Sequence, residues 1–489
     1  MAAGLTADQR QAEAAFVAWL SDPDRTRPFV LSGYAGTGKT FLSMRFLAAA
    51  EAAGLCWTVA APTHKAVGVL RNHLAAAALS PTWHPATIHR LLRLKLRRQG
   101  DLERCEETAQ TAGSLEHLGL VLIAEASMVD SSLLEISLRC ARSFGTRLVF
   151  VGDPAQLPPV GEPTSAVFAL QRSSGCSLRQ VVRHQGPVLR LATGLRNGAL
   201  PCRRPPPLAP IHTASGQVSC LAPAAWLEAA QDALRRSVEL DNPDHARLLC
   251  YTNRSLERLV PIARRALHGE MAEQLPVLPG EVLISRSAVM APACTAGEDA
   301  AEASAEEPDM VLGSNRELVV RDVAPTRLDL ADLGLCAADL GGLAVPLINT
   351  LSADVAAGET NLSLRLLPAA GSRDRQALDA ALQQLRQRAR AASTEGARQD
   401  SKALWRRFFL LRDAFASLGP AAVLTVHRSQ GSTFGEVYVD ADVFWPDDDQ
   451  LRQQLVYVAV SRASAAVCLM AGPASEPQRQ QWQRWFESD

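Results

Sequence analysis

Residues 33–40 read GYAGTGKT, a complete G-x-x-x-x-G-K-[ST] phosphate-binding pattern. An apolar run suited to a buried strand comes before this loop at residues 28–32, and an apolar, alanine-rich stretch that predicts a helix follows it. In such a loop the backbone N–H groups and the helix dipole hold phosphates, Lys39 contacts the β and γ oxygens, and the Thr40 hydroxyl binds Mg²⁺. The sequence therefore predicts a nucleoside triphosphate site that contains Gly33, Gly36, Thr37, Gly38, Lys39 and Thr40.

A second apolar strand, residues 120–124, ends beside an acidic residue, Glu125. In P-loop enzymes an acidic pair stands at the carboxyl end of such a strand: the first acid holds the magnesium shell, and the second orients and deprotonates the attacking water. Glu125 occupies the second position, but Ala124 occupies the first, where a carboxylate is expected. Gln156 follows the next strand, and its amide could contact the γ-phosphate and report its loss.

The composition favours a large globular protein of several domains. The chain has 489 residues, of which 47% are hydrophobic and 21% charged. Its 50 Lys and Arg residues nearly balance its 51 Asp and Glu residues, so no overall basic field indicates nucleic acid, although a local groove could still be basic. Ten scattered cysteines without a C-x-x-C pair favour a reduced, cytoplasmic compartment, and neither a secretory signal nor a membrane span is predicted.

The pattern of strands and helices predicts an α/β domain with insertions. Strand-like runs alternate with alanine-rich helical stretches from residue 6 to about 160, as in a parallel sheet. Within this region, residues 91–107 alternate Leu with Arg and Lys before a turn, which predicts a small β-hairpin. Residues 297–309 are acidic and predicted to be a solvated, disordered loop, and residues 375–392 predict a long helix. Because the α/β pattern returns at Val423, the middle is predicted to be an insertion.

Further polar motifs occur in a fixed order along the chain. They are Leu5-Thr6 with Gln9, GYAGTGKT at 33–40, PTHKA at 62–66, TIHR at 87–90, AEASM at 124–128, GDPAQLPPV at 152–160, LRQVVR at 178–183, CYTNR at 250–254, TVHRSQGSTF at 425–434 and VYVAVSRA at 456–463. This series resembles the superfamily 1B DNA helicases of the RecD/Dda-like branch. The resemblance covers nearly the whole chain apart from the middle insertion.

The resemblance implies an α/β fold of two RecA-like P-loop NTPase domains, with ATP bound in the cleft between them. The predicted hairpin stands where the family carries its pin, the wedge that separates the strands, and the middle insertion would contain the family's small SH3-like β-barrel. The implied domains are 1–86 and 117–180 (domain 1A, which binds ATP), 87–116 (the pin), 181–282 and 420–489 (domain 2A), and 283–419 (the inserted 2B domain, SH3-like with a helical extension).

The resemblance also implies roles for single residues. Gln9 would read the adenine edge, since an amide can pair with adenine N6 and N7. Arg183 and Arg462 would reach the γ-phosphate from the second domain as arginine fingers, and Gln430 would link ATP to the DNA-facing side of that domain. Short polar side chains would contact phosphates and sugars without reading sequence. They are Thr63, His64, Thr87, His89, Thr252, Asn253, Thr425, His427 and Ser429.

The implied activity is that of a DNA helicase and single-stranded DNA translocase that uses ATP and Mg²⁺. Family polarity would be 5′ to 3′, a direction that no spacing in this chain indicates by itself. The implied partners are single-stranded DNA and forked or tailed duplex DNA, bound by a monomer. An RNA helicase stays open as an alternative, because the tracking residues would not exclude a 2′-OH.

Ala124 departs from the family pattern. Without a carboxylate there the Mg²⁺ shell loses an acceptor for its bound waters, so turnover should suffer more than nucleotide binding. Asp153 is a possible substitute, but in the family it belongs to the loop of the next motif. Three explanations stay open: an introduced substitution that traps a nucleotide-bound state, a natural member with slow hydrolysis, or an ATP-regulated single-strand-binding relative that hydrolyses little. Because Glu125, Arg183, Gln430 and Arg462 are all present, the sequence favours a single isolated change.

Overall fold

The computed structural model of the chain describes residues 5–99, 102–180, 186–200, 202–290, 310–342, 344–358 and 360–487. Two compact units are present: one comprises Met1–Lys95, Glu107–Leu267 and Ala422–Asp489, and the other comprises Leu96–Glu106 and His268–Ala421. Two predictions, the arginine finger at Arg183 and the disordered loop at 297–309, lie outside the described residues.

The helices and strands of the described residues are numbered in chain order. The strands are β1 (Phe29–Gly33), β2 (Trp57–Ala61), β3 (Ala86–Thr87), β4 (Lys95–Gln99), β5 (Leu102–Glu106), β6 (Leu120–Ala124), β7 (Arg147–Gly152), β8 (Ser174–Leu178), β9 (Leu208–Thr213), β10 (Gly216–Leu221), β11 (Ala246–Cys250), β12 (Val282–Ser285), β13 (Val289–Met290), β14 (Met310–Leu312), β15 (Glu317–Asp329), β16 (Leu347–Ala357), β17 (Thr360–Arg365), β18 (Leu418–Pro420), β19 (Val423–Thr425), β20 (Phe434–Val439) and β21 (Ala463–Met470). The α-helices are α1 (Ala7–Leu20), α2 (Lys39–Ala52), α3 (His64–Ala76), α4 (Ile88–Leu91), α5 (Ser131–Phe144), α6 (Pro187–Arg196), α7 (Pro223–Glu239), α8 (Asn253–His268), α9 (Met271–Gln274), α10 (Arg373–Thr394), α11 (Arg398–Asp413), α12 (Asp449–Ser461) and α13 (Glu476–Glu487).

The first unit contains two sheets, and the first of them carries the phosphate loop. Its strand order is β3-β2-β6-β7-β1-β8, and all neighbouring strands run parallel. Along β6, Leu120 and Leu122 belong to one apolar core, while Val121 and Ile123 belong to another. Helices cover both faces of such a sheet, so its strands are continuous apolar runs. This parallel α/β domain confirms the prediction for the N-terminal part of the chain.

The second sheet has the order β19-β11-β20-β21-β10-β9. Five of its strands run parallel, and β9 is an antiparallel edge strand on β10. The chain leaves this sheet after β11 and returns to it at β19, which begins at Val423. The two RecA-like domains expected from the sequence are therefore present, and the middle of the chain is an insertion.

The second unit is built on an antiparallel sheet of order β17-β16-β15-β12-β18. Helices α10 and α11 pack together in a separate apolar core that includes Leu378, Leu385, Phe408 and Phe409. The long helix expected at residues 375–392 is confirmed by α10. The predicted hairpin is also present, as the two-stranded ribbon of β4 and β5. No helix in the described part of the chain is long and apolar enough to cross a bilayer.

Candidate nucleotide site and nucleic-acid face

The phosphate loop joins the end of β1, at Gly33, to the start of α2, at Lys39. Gly36 and Gly38 have φ angles of 79° and 84°, in the left-handed region that glycine adopts without strain. A Cβ on Gly38 would lie 2.5 Å from Gln9 Nε2, so no other residue fits there without a shift. The loop therefore exposes backbone N–H groups at a helix N-terminus, the arrangement that binds phosphate anions.

Lys39 and Gln9, both predicted to contact the nucleotide, are hydrogen-bonded to the phosphate loop itself. The Lys39 ammonium donates to the carbonyls of Gly33 (2.8 Å) and Tyr34 (2.9 Å). Gln9 is buried, and its Nε2 donates to the Thr37 carbonyl (3.0 Å). Its Oε1 accepts a hydrogen bond from the N–H of Thr6, the N-cap residue of α1 (3.1 Å). An adenine contact by Gln9 would therefore require these hydrogen bonds to be exchanged.

Glu125 stands in a conformation that its sequence does not reveal. It directly follows β6, where Ala124 pairs with Val151, and its φ of 53° and ψ of 45° are left-handed. This region costs a non-glycine residue about 1–2 kcal/mol. Such strain is concentrated at functional sites, because it aims a side chain that an ordinary turn would not.

Asp153, the possible substitute for the missing carboxylate, is already engaged by the protein through both of its oxygens. Its Oδ1 accepts a hydrogen bond from Ala155 N (3.0 Å), and its Oδ2 accepts one from the hydroxyl of Tyr457 (2.6 Å). The side chain is completely buried. Among the described residues no group of three or more His, Cys, Asp or Glu side chains could hold a metal ion. A divalent ion here would therefore rely on Thr40 and the phosphates of a nucleotide.

Three buried polar atoms in the helicase-like motifs have no hydrogen-bond partner within the described part of the chain. They are Gln156 Oε1, Ser127 Oγ and Ser432 Oγ. Buried polar atoms are normally paired, so an unpaired group needs an explanation, such as a role in binding or catalysis. Each serine hydroxyl has a proton that it could donate to an oxygen-rich ligand such as a nucleotide phosphate, whereas Gln156 Oε1 can only accept.

Arg462 and Gln430, from the second sheet's side of the cleft, are held differently. Arg462 is buried, and its guanidinium donates to Val458 O (3.3 Å), Ser432 O (3.2 Å) and Ser461 Oγ (3.0 Å), all in its own domain. Gln430 Nε2 crosses to the first domain and donates to Leu157 O (3.1 Å), next to Gln156. The structure therefore brings Gln430 close to Gln156, whereas the hydrogen bonds of Arg462 to described residues stay within its own domain.

The predicted nucleic-acid residues cluster at the carboxyl ends of parallel strands, where ligands bind in open α/β sheets. Three of the threonine hydroxyls already serve the fold. Thr63 and Thr87 accept the N–H groups of Ala66 (3.3 Å) and Arg90 (3.4 Å) at helix N-termini, which uses a lone pair and not the hydroxyl proton. Thr252 likewise accepts the N–H of Ser255 (3.1 Å), but it also donates its proton to Asp442 Oδ2 (2.9 Å).

The remaining residues of this set differ in exposure. Asn253 is exposed, His64 is half-buried, and Thr425 is buried. Ser429 is completely buried and donates to Val426 O (2.8 Å). Burial lowers the pKa of both His89 and His427, although the carboxylate of Asp130 opposes the shift of His89. Both imidazoles are therefore neutral near pH 7 and would contact a phosphate as dipoles and not as charges.

Comparisons with known proteins match both halves of this arrangement. An AAA domain family matches residues 4–203, and a UvrD-like helicase C-terminal domain family matches residues 420–470. The chain is 32% identical to the ATP-dependent RecD2 DNA helicase of Deinococcus radiodurans over 177 residues, which are 36% of this chain and 22% of that protein. It is 22% identical to the ATP-dependent DNA helicase dda of Enterobacteria phage T4 over 445 residues, which are 88% of this chain and 92% of dda. These matches support a superfamily 1B helicase of the RecD/Dda type.

One solved structure aligns with the whole chain at low sequence identity. The Pif1 helicase from Bacteroides in complex with ADP-AlF3 and single-stranded DNA aligns with 100% of this chain and 98% of its own, at 14% identity and a TM-score of 0.45. The chain covers 31% and 22% of the first two curated relatives that it matches.

Asp442 and Tyr457 belong to the candidate site, but the sequence analysis did not predict them. Asp442 accepts hydrogen bonds from the backbone N–H groups of Tyr251 and Thr252 and so orders the end of β11. Tyr457 contacts both the phosphate loop and Asp153 across the cleft. Tyr457 lies within a motif that the sequence does identify, but only the structure shows where its hydroxyl points.

Proposed function

We propose that this protein is an ATP-dependent DNA helicase that translocates along single-stranded DNA in the 5′ to 3′ direction. One observation carries the proposal. Side chains from the second RecA-like domain, Gln430 and Tyr457, are hydrogen-bonded to the phosphate loop and to the loop that holds Gln156. A change at the nucleotide can therefore alter how the two domains meet, which is the step a translocating motor requires.

In this proposal ATP lies on the phosphate loop, with Lys39 leaving the Gly33 and Tyr34 carbonyls to neutralise the β- and γ-phosphates. Mg²⁺, held by Thr40 and the phosphates, supplies charge neutralisation when bound. Glu125 orients and deprotonates the attacking water. Arg462 exchanges its present intradomain hydrogen bonds for the γ-phosphate, and Arg183 is assigned the same role.

The DNA track is assigned to the polar residues at the strand ends, which contact phosphate and sugar and carry no sequence information. Thr63, Thr87, His64, His89 and Asn253 present donors at this edge, and Thr252, Thr425, His427 and Ser429 complete the set of predicted residues. The ribbon of β4 and β5 is assigned as the pin, and the antiparallel sheet of the second unit as the SH3-like part of domain 2B. The chain is proposed to act as a monomer on tailed or forked duplex DNA.

A second function is favoured by Ala124: an ATP-regulated single-strand-binding protein that hydrolyses little. Because Asp153 is completely buried and each of its oxygens accepts a hydrogen bond from the protein, we assign this carboxylate to the contact with Tyr457 and not to the missing role. A lost ligand of the water shell costs about 10–100-fold in affinity or activity at metal sites. The two functions therefore differ in turnover, not in nucleotide or DNA binding.

Steady-state ATP hydrolysis with and without single-stranded DNA separates these functions. The native chain is compared with Ala124→Asp and with Ala124→Asn, which matches the size of Asp without its charge. DNA-stimulated hydrolysis that is about 10–100-fold faster only in the Asp variant identifies an intact motor with an impaired magnesium site. Fast hydrolysis by all three proteins means that another group completes the site. If no variant responds to DNA, the helicase proposal is wrong, and equal stimulation by RNA would refute the assignment to DNA.

A further inference from the structure

The hydroxyl of Tyr457 bridges two loops of the domain opposite its own. Tyr457 lies on α12 of the second domain, and its side chain is almost completely buried. Its oxygen accepts a hydrogen bond from the backbone N–H of Ala35 in the phosphate loop (3.0 Å) and donates to Asp153 Oδ2 (2.6 Å). Burial, followed by the neighbouring Asp153 carboxylate, raises the pKa of this phenol, so the proton that it donates to Asp153 is retained.

A second side chain from the same domain contacts the adjacent residue of the loop. Arg196, the last residue of α6, places its guanidinium 3.1 Å from the ring centroid of Tyr34. A guanidinium over an aromatic face is attracted by the ring quadrupole. Helix α6 packs against α12, so both contacts come from one rigid part of the second domain. Two consecutive loop residues, Tyr34 and Ala35, are therefore held from across the cleft by two independent interactions.

We propose that Tyr457 and Arg196 are positioning residues that form a clasp on Tyr34 and Ala35 and thereby couple the phosphate loop to the position of α12. The clasp is defined as these four residues. Helix α12 ends at Ser461 and is followed directly by Arg462, so a shift of the helix moves the proposed arginine finger together with the clasp. The hydroxyl also links the phosphate loop to Asp153, whose carbonyl accepts the N–H of Gln156 (3.1 Å).

The clasp has a physical consequence for the loop. The Tyr34 carbonyl accepts a hydrogen bond from the Lys39 ammonium, so the residue under Arg196 also binds this lysine, as Gly33 does. Without the hydroxyl, the Ala35 N–H loses its acceptor and Asp153 Oδ2 loses its donor. Buried groups that lose their partners are destabilised locally, and the loop is then expected to open more often.

Hydrogen–deuterium exchange of the nucleotide-free full chain tests the clasp without reference to hydrolysis. Tyr457→Phe keeps the buried ring and removes only the hydroxyl. Tyr438→Phe is the matched control, because the Tyr438 hydroxyl donates to Glu436 Oε2 (3.1 Å) in the same domain, beside it on β20. Exchange in the peptide that covers residues 33–38 should rise about five- to tenfold in Tyr457→Phe, as expected for loss of a buried hydrogen bond, and not in the control. Arg196→Met should raise exchange in the same peptide.

Three results would overturn the clasp: unchanged exchange of the loop in Tyr457→Phe, an equal rise in Tyr438→Phe, or a rise spread over the whole first domain, which indicates a merely structural hydroxyl. The coupling role rests on the proposed function and is measured in the Ala124→Asp background. There Tyr457→Phe should lower the DNA-stimulated kcat about tenfold and change the Kd for ADP less than about threefold. If kcat and the affinity for ADP fall by the same factor, the proposed coupling is refuted. If the Ala124→Asp parent shows no DNA stimulation, the proposed function fails, while the exchange result still decides the clasp.

Discussion

The backbone of Glu125 has a left-handed conformation, and replacing this residue with glycine should relieve the strain. The resulting change in the free energy of unfolding can be measured. Its left-handed backbone, with φ 53° and ψ 45°, costs a non-glycine residue about 1–2 kcal/mol. Glycine adopts this conformation freely but loses more backbone freedom on folding, about 0.5–1 kcal/mol relative to alanine. We therefore expect Glu125→Gly to exceed Glu125→Ala in free energy of unfolding by about 0.5–1 kcal/mol.

The matched control is Glu228, which is exposed in the interior of α7. In a helix interior glycine is less stable than alanine by about 1 kcal/mol. The difference between glycine and alanine should therefore have opposite signs at the two positions. Urea unfolding of the four variants measures this difference, and comparison within each pair removes the effect of losing the carboxylate.

The opposite outcome would be informative as well. If glycine is less stable than alanine at residue 125, as it is at residue 228, the backbone at the end of β6 is not strained in solution. The interpretation that strain aims the Glu125 carboxylate towards the reacting water would then be refuted. Activity gives a second check, because Glu125→Gly and Glu125→Ala should both lose hydrolysis in the Ala124→Asp background while nucleotide binding persists.

Lys39→Ala should abolish nucleotide binding, since it removes the ammonium that is assigned to neutralise the phosphates; an unchanged affinity in a fluorescent-ADP titration would sink the phosphate-loop assignment. Shortening the hairpin of β4 and β5 in the Ala124→Asp background should impair strand separation in a tailed-duplex assay and spare DNA-stimulated hydrolysis, and equal loss of both activities would mean that the hairpin is not a wedge. Burial lowers the pKa of His89 and His427, so below about pH 6.5 the unfolded chain binds protons that the folded chain does not, and stability should fall as the pH drops. Replacing both histidines with Gln should flatten this dependence in thermal unfolding between pH 7.5 and 5; a parallel curve would contradict the inferred shift.

The elements of the first sheet could be predicted because local patterns and tertiary packing agree. The loop at 33–40 needs a strand before it and a helix after it, and residues with those preferences stand there. The apolar run of β6 suits a sheet that is buried on both faces. The pairing order of the strands does not follow from such patterns. Strands β11 and β19 are neighbours in one sheet, although the inserted unit separates them along the chain. Their pairing depends on long-range packing and not on local sequence.

The site was less predictable, since a motif identifies a residue but not the direction of its hydrogen bonds. Gln9, Lys39 and Arg462 each lie where the motifs place them along the chain, yet each is bonded to protein groups in this structure. Long polar side chains have several staggered rotamers, and nearby protein groups satisfy their hydrogen bonds in this structure. The left-handed backbone of Glu125 has no signal in the sequence either, because neither glycine nor asparagine marks the position.

The threonines of the candidate nucleic-acid face differ in whether the hydroxyl proton is already used within the protein. A hydroxyl offers one proton and two lone pairs. Thr63 and Thr87 accept backbone N–H groups at helix N-termini, so each still has a proton to donate to a phosphate. Thr252 has given its proton to Asp442, and it can reach a phosphate as a donor only if that pair breaks. Thr252 therefore orders the end of β11. The N-terminus of α8, where Asn253 is exposed, is the better hydrogen-bond donor to a nucleic-acid phosphate.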